Sequence, residues 1–278
     1  MKPLNLALFA AFALSACASF GTFAGQDTGD VQFAADAEEN MKRGNDAMDA
    51  RNFNEAAAYF DFVKTKFPYL ELARTAELRL GDADFERDKF LEARDRYQSF
   101  VRLHPTHQKI DYAAYRAALT HYKEIPSDFF LLPPASEKDQ VEVRNALNAM
   151  AEFTRSYPGS EHIADAKKVI DEVKMRLAEH ELYVADFYSN PSRARWPAVI
   201  ARLNGVAKNY SGIGLDERVA FGLYEAHLKL NQPVEARAAL EAYAKKFPEE
   251  SGAKRALRLA AELPTTNPKP ATPADAGT

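Results

Sequence analysis

Five stretches of this chain close in the same way. "NFNEAAAYFDFVKTKFP", "KFLEARDRYQSFVRLHP", "EVRNALNAMAEFTRSYP", "RWPAVIARLNGVAKNYS" and "QPVEARAALEAYAKKFP" align on Pro68, Pro105, Pro158, Ser211 and Pro248. Twelve residues before the anchor stand Ala56, Ala93, Ala146, Val199 and Ala236. Eight before it stand Phe60, Tyr97, Met150, Leu203 and Leu240, and five before it Val63, Phe100, Phe153, Val206 and Tyr243. Steps of four and three put these positions on one face of a helix. A small residue at the first lets a neighbouring backbone approach, and the larger ones fill the space beside it. Proline cannot continue the helix, so the helix stops there. Each stretch then reads as the second helix of a hairpin that cannot bury its apolar stripe alone, and such units must stack.

The upstream helices fit the same scheme. Gly44 and Gly81 each precede the small residue of their repeat by twelve, with Leu80 just before Gly81; in the fifth repeat Tyr224 takes that place. A glycine inside a helix costs about 1 kcal/mol relative to alanine, so these two mark tight helix crossings. Glycine, alanine, aromatic and proline at such offsets resemble the tetratricopeptide repeat, well in the first two units and loosely in the last three. The expectation is an all-α fold, an α-solenoid of five such helix hairpins.

The anchors lie 37, 53, 53 and 37 residues apart, against about 34 for a bare hairpin repeat, so the centre is expanded. The first excess reads as an inserted loop over 125–136, where Pro126, Pro133 and Pro134 prevent regular helix. Its Phe129 and Phe130, followed by Leu131 and Leu132, either tuck into the solenoid groove or meet a partner. The second excess lengthens a helix from roughly 160 to 188, in which Ile163, Ala166, Ile170, Val173, Leu177, Val184 and Phe187 keep helical spacing. This helix is expected to bridge an N-terminal half, 33–124, and a C-terminal half, 137–263.

Cys17 is the single cysteine, so no disulfide is possible. It follows Met1-Lys2-Pro3 and an apolar run from Leu4 to Ala16 that is too short to span a bilayer. A cationic start, a short apolar core and small residues before a boundary read as a secretory signal over 1–16. Leu14-Ser15-Ala16-Cys17 resembles the lipobox of bacterial lipoproteins, which implies cleavage before Cys17 and acylation of its sulfur and new amino group. Two or more acyl chains hold a protein stably at a membrane. Residues 17–32 then read as a tether, and the Pro- and Thr-rich 264–278 as a disordered tail. The absence of Asp at Ala18 points, by the sorting rule of such signals, to the outer membrane.

The 262 residues after position 16 hold 35 Lys and Arg against 40 Asp and Glu, a balance unsuited to nucleic acid. A hydrophobic share of 46% is enough for a substantial core. No catalytic constellation is visible: HExxH, a phosphate-cradling glycine loop and a G-x-S-x-G elbow are all missing. His104 and His107 flank a repeat-ending proline without a ligand set to complete a metal site. Carboxylates, Asp82 and Asp84 among them, read as solvated helix faces. Neither a cofactor nor an enzymatic activity is expected.

A lipobox followed by five repeats with an expanded centre is similar to the BamD family, the lipoprotein subunits of the β-barrel assembly machinery. "YRAALTHYKEI" (115–125), "RSYPGSEHIADAKKVIDEVKMRLAEHELYVADFY" (155–188) and "WPAVIARL" (196–203) carry the likeness, which covers roughly 33–248. Ala117, Ala118 and Ser211 depart from the family pattern, which has glycine and proline there. The resemblance implies a periplasmic scaffold on the outer membrane. Its amino-terminal repeats would receive unfolded β-barrel proteins, and its carboxyl-terminal repeats would dock on the periplasmic domains of the barrel insertase beside other lipoproteins of the machinery. Tyr188, Trp196 and Arg202 are the expected insertase contacts, Trp and Arg being favoured anchors; core packing for Trp196 and a solvated charge for Arg202 are the plain alternatives. Another periplasmic repeat lipoprotein, a secretin pilotin or a cell-envelope coordination factor, is the second reading.

Overall fold

The computed structural model describes residues 31–126 and 139–266. Cys17, Phe129 and Phe130 lie outside them, as do the signal, most of the tether and inserted loop, and most of the tail. Eleven helices run through the described residues: α1 (Ala37–Asp49), α2 (Phe53–Lys66), α3 (Glu71–Glu86), α4 (Phe90–Leu103), α5 (Ile110–Lys123), α6 (Val141–Ser156), α7 (Ile163–Ser189), α8 (Trp196–Asn209), α9 (Asp216–Lys229), α10 (Pro233–Lys246) and α11 (Ser251–Glu262). Each packs on its neighbours in sequence, and α1 also meets α3. This quasi-one-dimensional order is that of a solenoid.

All fifteen residues at the three repeated offsets are buried, the most exposed being Tyr243 at 5%. The five helices that carry them end two residues before the anchor, and the intervening residue closes each one. Phe67, His104, Tyr157, Tyr210 and Phe247 donate their N–H to the carbonyls of Val63, Phe100, Phe153, Val206 and Tyr243 at 2.9–3.0 Å. All five closing residues are ring-bearing, a regularity of the sequence that the proline alignment had masked.

Three hairpins share one turn. Arg51, Asp88 and Asn231 have φ of 61°, 57° and 55°. The residue after each, Asn52, Lys89 or Gln232, donates to the carbonyl of Ala47, Asp84 or His227 at 2.8–2.9 Å. This is the helix-ending motif in which a left-handed residue lets the chain reverse. The third and fourth hairpins lack it: the inserted segment separates α5 from α6, and a short 3-10 turn, Pro191–Arg193, separates α7 from α8.

Helix α7 bridges the halves by changing partners. Ala166, Val169, Val173 and Leu177 join a cluster with α5 and α6, whereas Ala178, Leu182 and Ala185 join one with α8 and α9. The predicted stripe is corrected at its end: Val184 is only partly buried and Phe187 is exposed. The buried face there runs through Leu182 and Ala185 because α8 packs on the adjoining side. Helix α11, beyond the five predicted hairpins, covers α10 with Ala253, Ala256 and Ala260, as a terminal cap should.

Candidate functional site

The expected partner contacts meet where α7 hands over to α8. Tyr188 and Trp196 both pack, half-buried, against the cluster shared by α7, α8 and α9, and Arg195 donates its N–H to the Tyr188 carbonyl at 2.9 Å. Arg202 stays exposed on α8, where its Nη1 donates to Glu181 Oε2 on α7 at 2.9 Å. Beside them Phe187 lies edge-on to Tyr188, and the Arg193 guanidinium sits 4.1 Å from the centre of the Phe187 ring. Aromatic faces and guanidinium groups thus share one surface at the end of α7. Phe187 and Arg193 complete this surface; read as part of a core stripe, Phe187 gave no sign of it.

A charged core separates that surface from the amino terminus. Asp82 and Asp84, expected on a solvated face, are buried at 3% and 5% exposure. Residues two apart on a helix point nearly oppositely, and each carboxylate has found its own cations. Asp82 accepts from Tyr97 Oη at 2.8 Å, Tyr112 Oη at 2.8 Å and Arg79 Nη1 at 2.9 Å. Arg116 donates to Tyr97 Oη at 3.1 Å and stacks 3.9 Å from the Phe85 ring centre. Asp84 accepts from Arg96 at 2.5 Å and Arg87 at 3.3 Å. Burial, and then the Asp82 charge, raises the Tyr97 and Tyr112 phenols far above their ordinary pKa, so both stay protonated donors. The network ties α3, α4 and α5 into one rigid base.

The histidines split up. His104 faces Glu77 at 3.0 Å and His107 faces Glu71 at 3.2 Å, both against the Phe100 ring, so the pair does not converge on one point. Among the described residues, His121, Glu124 and Glu142 could bring one ligand atom each within 4.8 Å of one another. Arg94 already donates to His121 Nδ1 at 2.9 Å and to both Glu124 oxygens at 2.6 and 3.3 Å. A guanidinium therefore fills the place a cation would take. Burial, followed by the Arg94 charge, lowers the His121 pKa.

Two clefts repeat the same geometry. One, of about 340 Å³, lies between α4, α5 and α6; the other, of about 410 Å³, lies between α8, α9 and α10. When the anchors are superposed, Gln98 and Val101 correspond to Asn204 and Ala207, and Ala117 and His121 to Leu223 and His227. Phe153 with Tyr157 forms one wall, their ring centres 5.8 Å apart, and Tyr243 with Phe247 forms the other at 5.9 Å. Small residues such as Ala114, Ala149, Ala239 and Ala242 open the floors. Clefts of this size and apolar character accept single side chains of another polypeptide.

The family model described as an outer membrane lipoprotein, YfiO, matches residues 33–242. "Outer membrane protein assembly factor BamD" of Neisseria meningitidis serogroup B is 30% identical over 240 residues, 84% of this chain and 86% of that protein. The protein of the same name from Caulobacter vibrioides is 28% identical over 194 residues, 70% of this chain and 60% of that one. Among solved structures, the TPR2AB domain of yeast Sti1 in its pHSP90 complex aligns over 81% of this chain and 82% of that one, with 16% identity and a TM-score of 0.43. With three quarters of its length matched by the family model and a relative alike over most of both chains, this chain belongs to the BamD family of outer membrane lipoproteins.

Proposed function

We infer that the chain is an outer-membrane protein assembly factor, a non-catalytic scaffold held to the inner leaflet by acylated Cys17. The observation that carries this reading is the pair of equivalent clefts, each with an aromatic wall and a small-residue floor. A solenoid that repeats one side-chain pocket along its length is built to hold an extended polypeptide rather than a compact ligand. Unfolded β-barrel segments, whose side chains alternate between apolar and polar, have that form. The surface of Tyr188, Trp196 and Arg202, with Phe187 and Arg193, serves as the docking face for the periplasmic domains of the insertase, beside the other lipoproteins of the machinery. The Asp82 network holds together α3, α4 and α5, two of which frame the first cleft.

Depletion of the protein, followed by quantitative proteomics of the outer membrane, tests the reading. General loss of β-barrel proteins is the expected result. Loss confined to one secretin or pilus system would overturn it. At residue level, a photo-crosslinker replacing Ala117 or Ala239 should capture nascent barrel segments, and a crosslinker replacing Arg202 should capture the insertase.

A further inference from the structure

The two amino-terminal inter-repeat turns carry apolar side chains that face water. Tyr69, directly after the anchor Pro68, is 99% exposed, and Leu70 beside it is 43% exposed. Leu103, at the next turn, is 61% exposed. These turns are neighbours: Glu71 Oε1 lies 3.2 Å from His107 Nε2, and one cleft is lined by Glu71 on one side and Leu103 to Lys109 on the other. Basic side chains rim the patch. Lys66, Arg102 and Lys109 are exposed there and form no ion pair among the described residues, although the chain as a whole carries a net charge of −4.

The chain enters at this same edge. Phe33 stacks flat on Phe62, with ring centres 4.3 Å apart, and Phe62 meets Phe67, one residue before Pro68. The entering segment is held by Asn40, fully buried, which exchanges hydrogen bonds with the Ala34 backbone at 2.9 Å, and by Arg43, which donates to the Gln32 carbonyl at 2.8 Å. The later turns differ in character. Gly159-Ser160-Glu161 and Glu249-Glu250 are polar or acidic, and Ile213 packs inward.

We propose that the edge formed by Phe33, Tyr69, Leu70 and Leu103 rests on the anionic headgroup surface of the membrane to which the chain is tethered. Aromatic rings favour the headgroup level, leucines reach the acyl boundary, and unpaired Lys and Arg meet lipid phosphates. A patch this small would hold a free protein only weakly. A tether of fifteen residues, about 50 Å at full stretch, keeps it at high effective concentration beside the bilayer. The solenoid then stands on its first two repeats and turns its C-terminal repeats away from the lipid, leaving the clefts and the α7–α8 surface open. The proposal rests on the tethering at Cys17 inferred above.

The test moves the single tryptophan. Tyr69→Trp and, separately, Glu249→Trp are made in a Trp196→Phe background. The full chain is placed on phosphatidylethanolamine vesicles containing phosphatidylglycerol brominated on the upper acyl carbons. The tryptophan at 69 should be quenched several-fold more than the one at 249, and the difference should shrink in pure phosphatidylcholine vesicles brominated at the same carbons. Equal quenching at the two positions overturns the proposal, and quenching unchanged in phosphatidylcholine overturns its anionic part. Mass spectrometry of Cys17 tests the tether independently. If Cys17 is bare, coupling it to a maleimide lipid imposes the tether and the same comparison decides.

Discussion

The ring of Phe60 lies directly over Gly44: a β-carbon at Gly44 would come 2.5 Å from Phe60 Cε1. Gly81 meets Tyr97 in the same way, at 2.8 Å, so the first helix of each hairpin yields its side chain to the large residue of the second. Both rings are fully buried and cannot step aside. Gly44→Ala and Gly81→Ala should each destabilise by about 1–3 kcal/mol through overpacking. Gly205 sits inside α8 with open space around it, so Gly205→Ala should stabilise by about 0.5–1 kcal/mol. Urea melts of the three variants give opposite signs, and a stabilised Gly44→Ala would refute the packing account.

The Asp82 cluster predicts an asymmetry. Removing the carboxylate leaves Arg116 and Arg79 facing a buried void, so Asp82→Ala should cost about 3–5 kcal/mol. Tyr97→Phe removes one of three donors to Asp82 and should cost about 1 kcal/mol. Similar losses for the two would show that the cluster is not a connected network.

Arg51 and Asp88 hold the left-handed conformation without being glycine. That conformation costs an ordinary residue about 1–2 kcal/mol, part of which glycine recovers. Arg51→Gly should raise stability by about 0.5–1 kcal/mol. Asp88→Gly and Asn231→Gly should gain less, since aspartate and asparagine tolerate that conformation. Thermal melts rank the three.

His121 brings a pH dependence with a definite sign. Its folded pKa is lowered, first by burial and then by Arg94, so the unfolded chain binds the proton more readily. Stability should therefore fall as pH drops through the ordinary histidine range toward the lower folded pKa, and be fully present above it. His121→Gln should flatten the curve of stability against pH between 7 and 5 relative to the parent. Parallel curves would remove His121 as the cause.

The Arg202–Glu181 pair is exposed on its arginine side, and such pairs add at most about 1 kcal/mol. Arg202→Glu should reduce copurification of the insertase while helicity by circular dichroism stays the same. Adding Glu181→Arg restores the ion pair with reversed polarity. If the partner reads the charge at 202, the double variant stays defective; recovery would mean that the pair acts only on the fold.

Much of this architecture was legible in one dimension. Offsets of four and three define a helix face whatever the helix packs against, so the fifteen buried residues, the five hairpins and the extended α7 follow from spacing alone. Gly44 and Gly81 were readable for the same reason: a costly residue inside a helix needs a close neighbour. Periodicity carries no information about which side chain arrives from another helix. Asp82 and Asp84 look like ordinary surface acids until the superhelical stacking brings Tyr97, Tyr112 and Arg96 over them. Phe187 keeps helical register, yet it leaves the core because α8 packs on the other side of α7 there. The matching clefts and the apolar edge at Tyr69 likewise exist only once successive hairpins lie side by side. Local spacing chose the units, and the angle at which they stack decided what each surface faces.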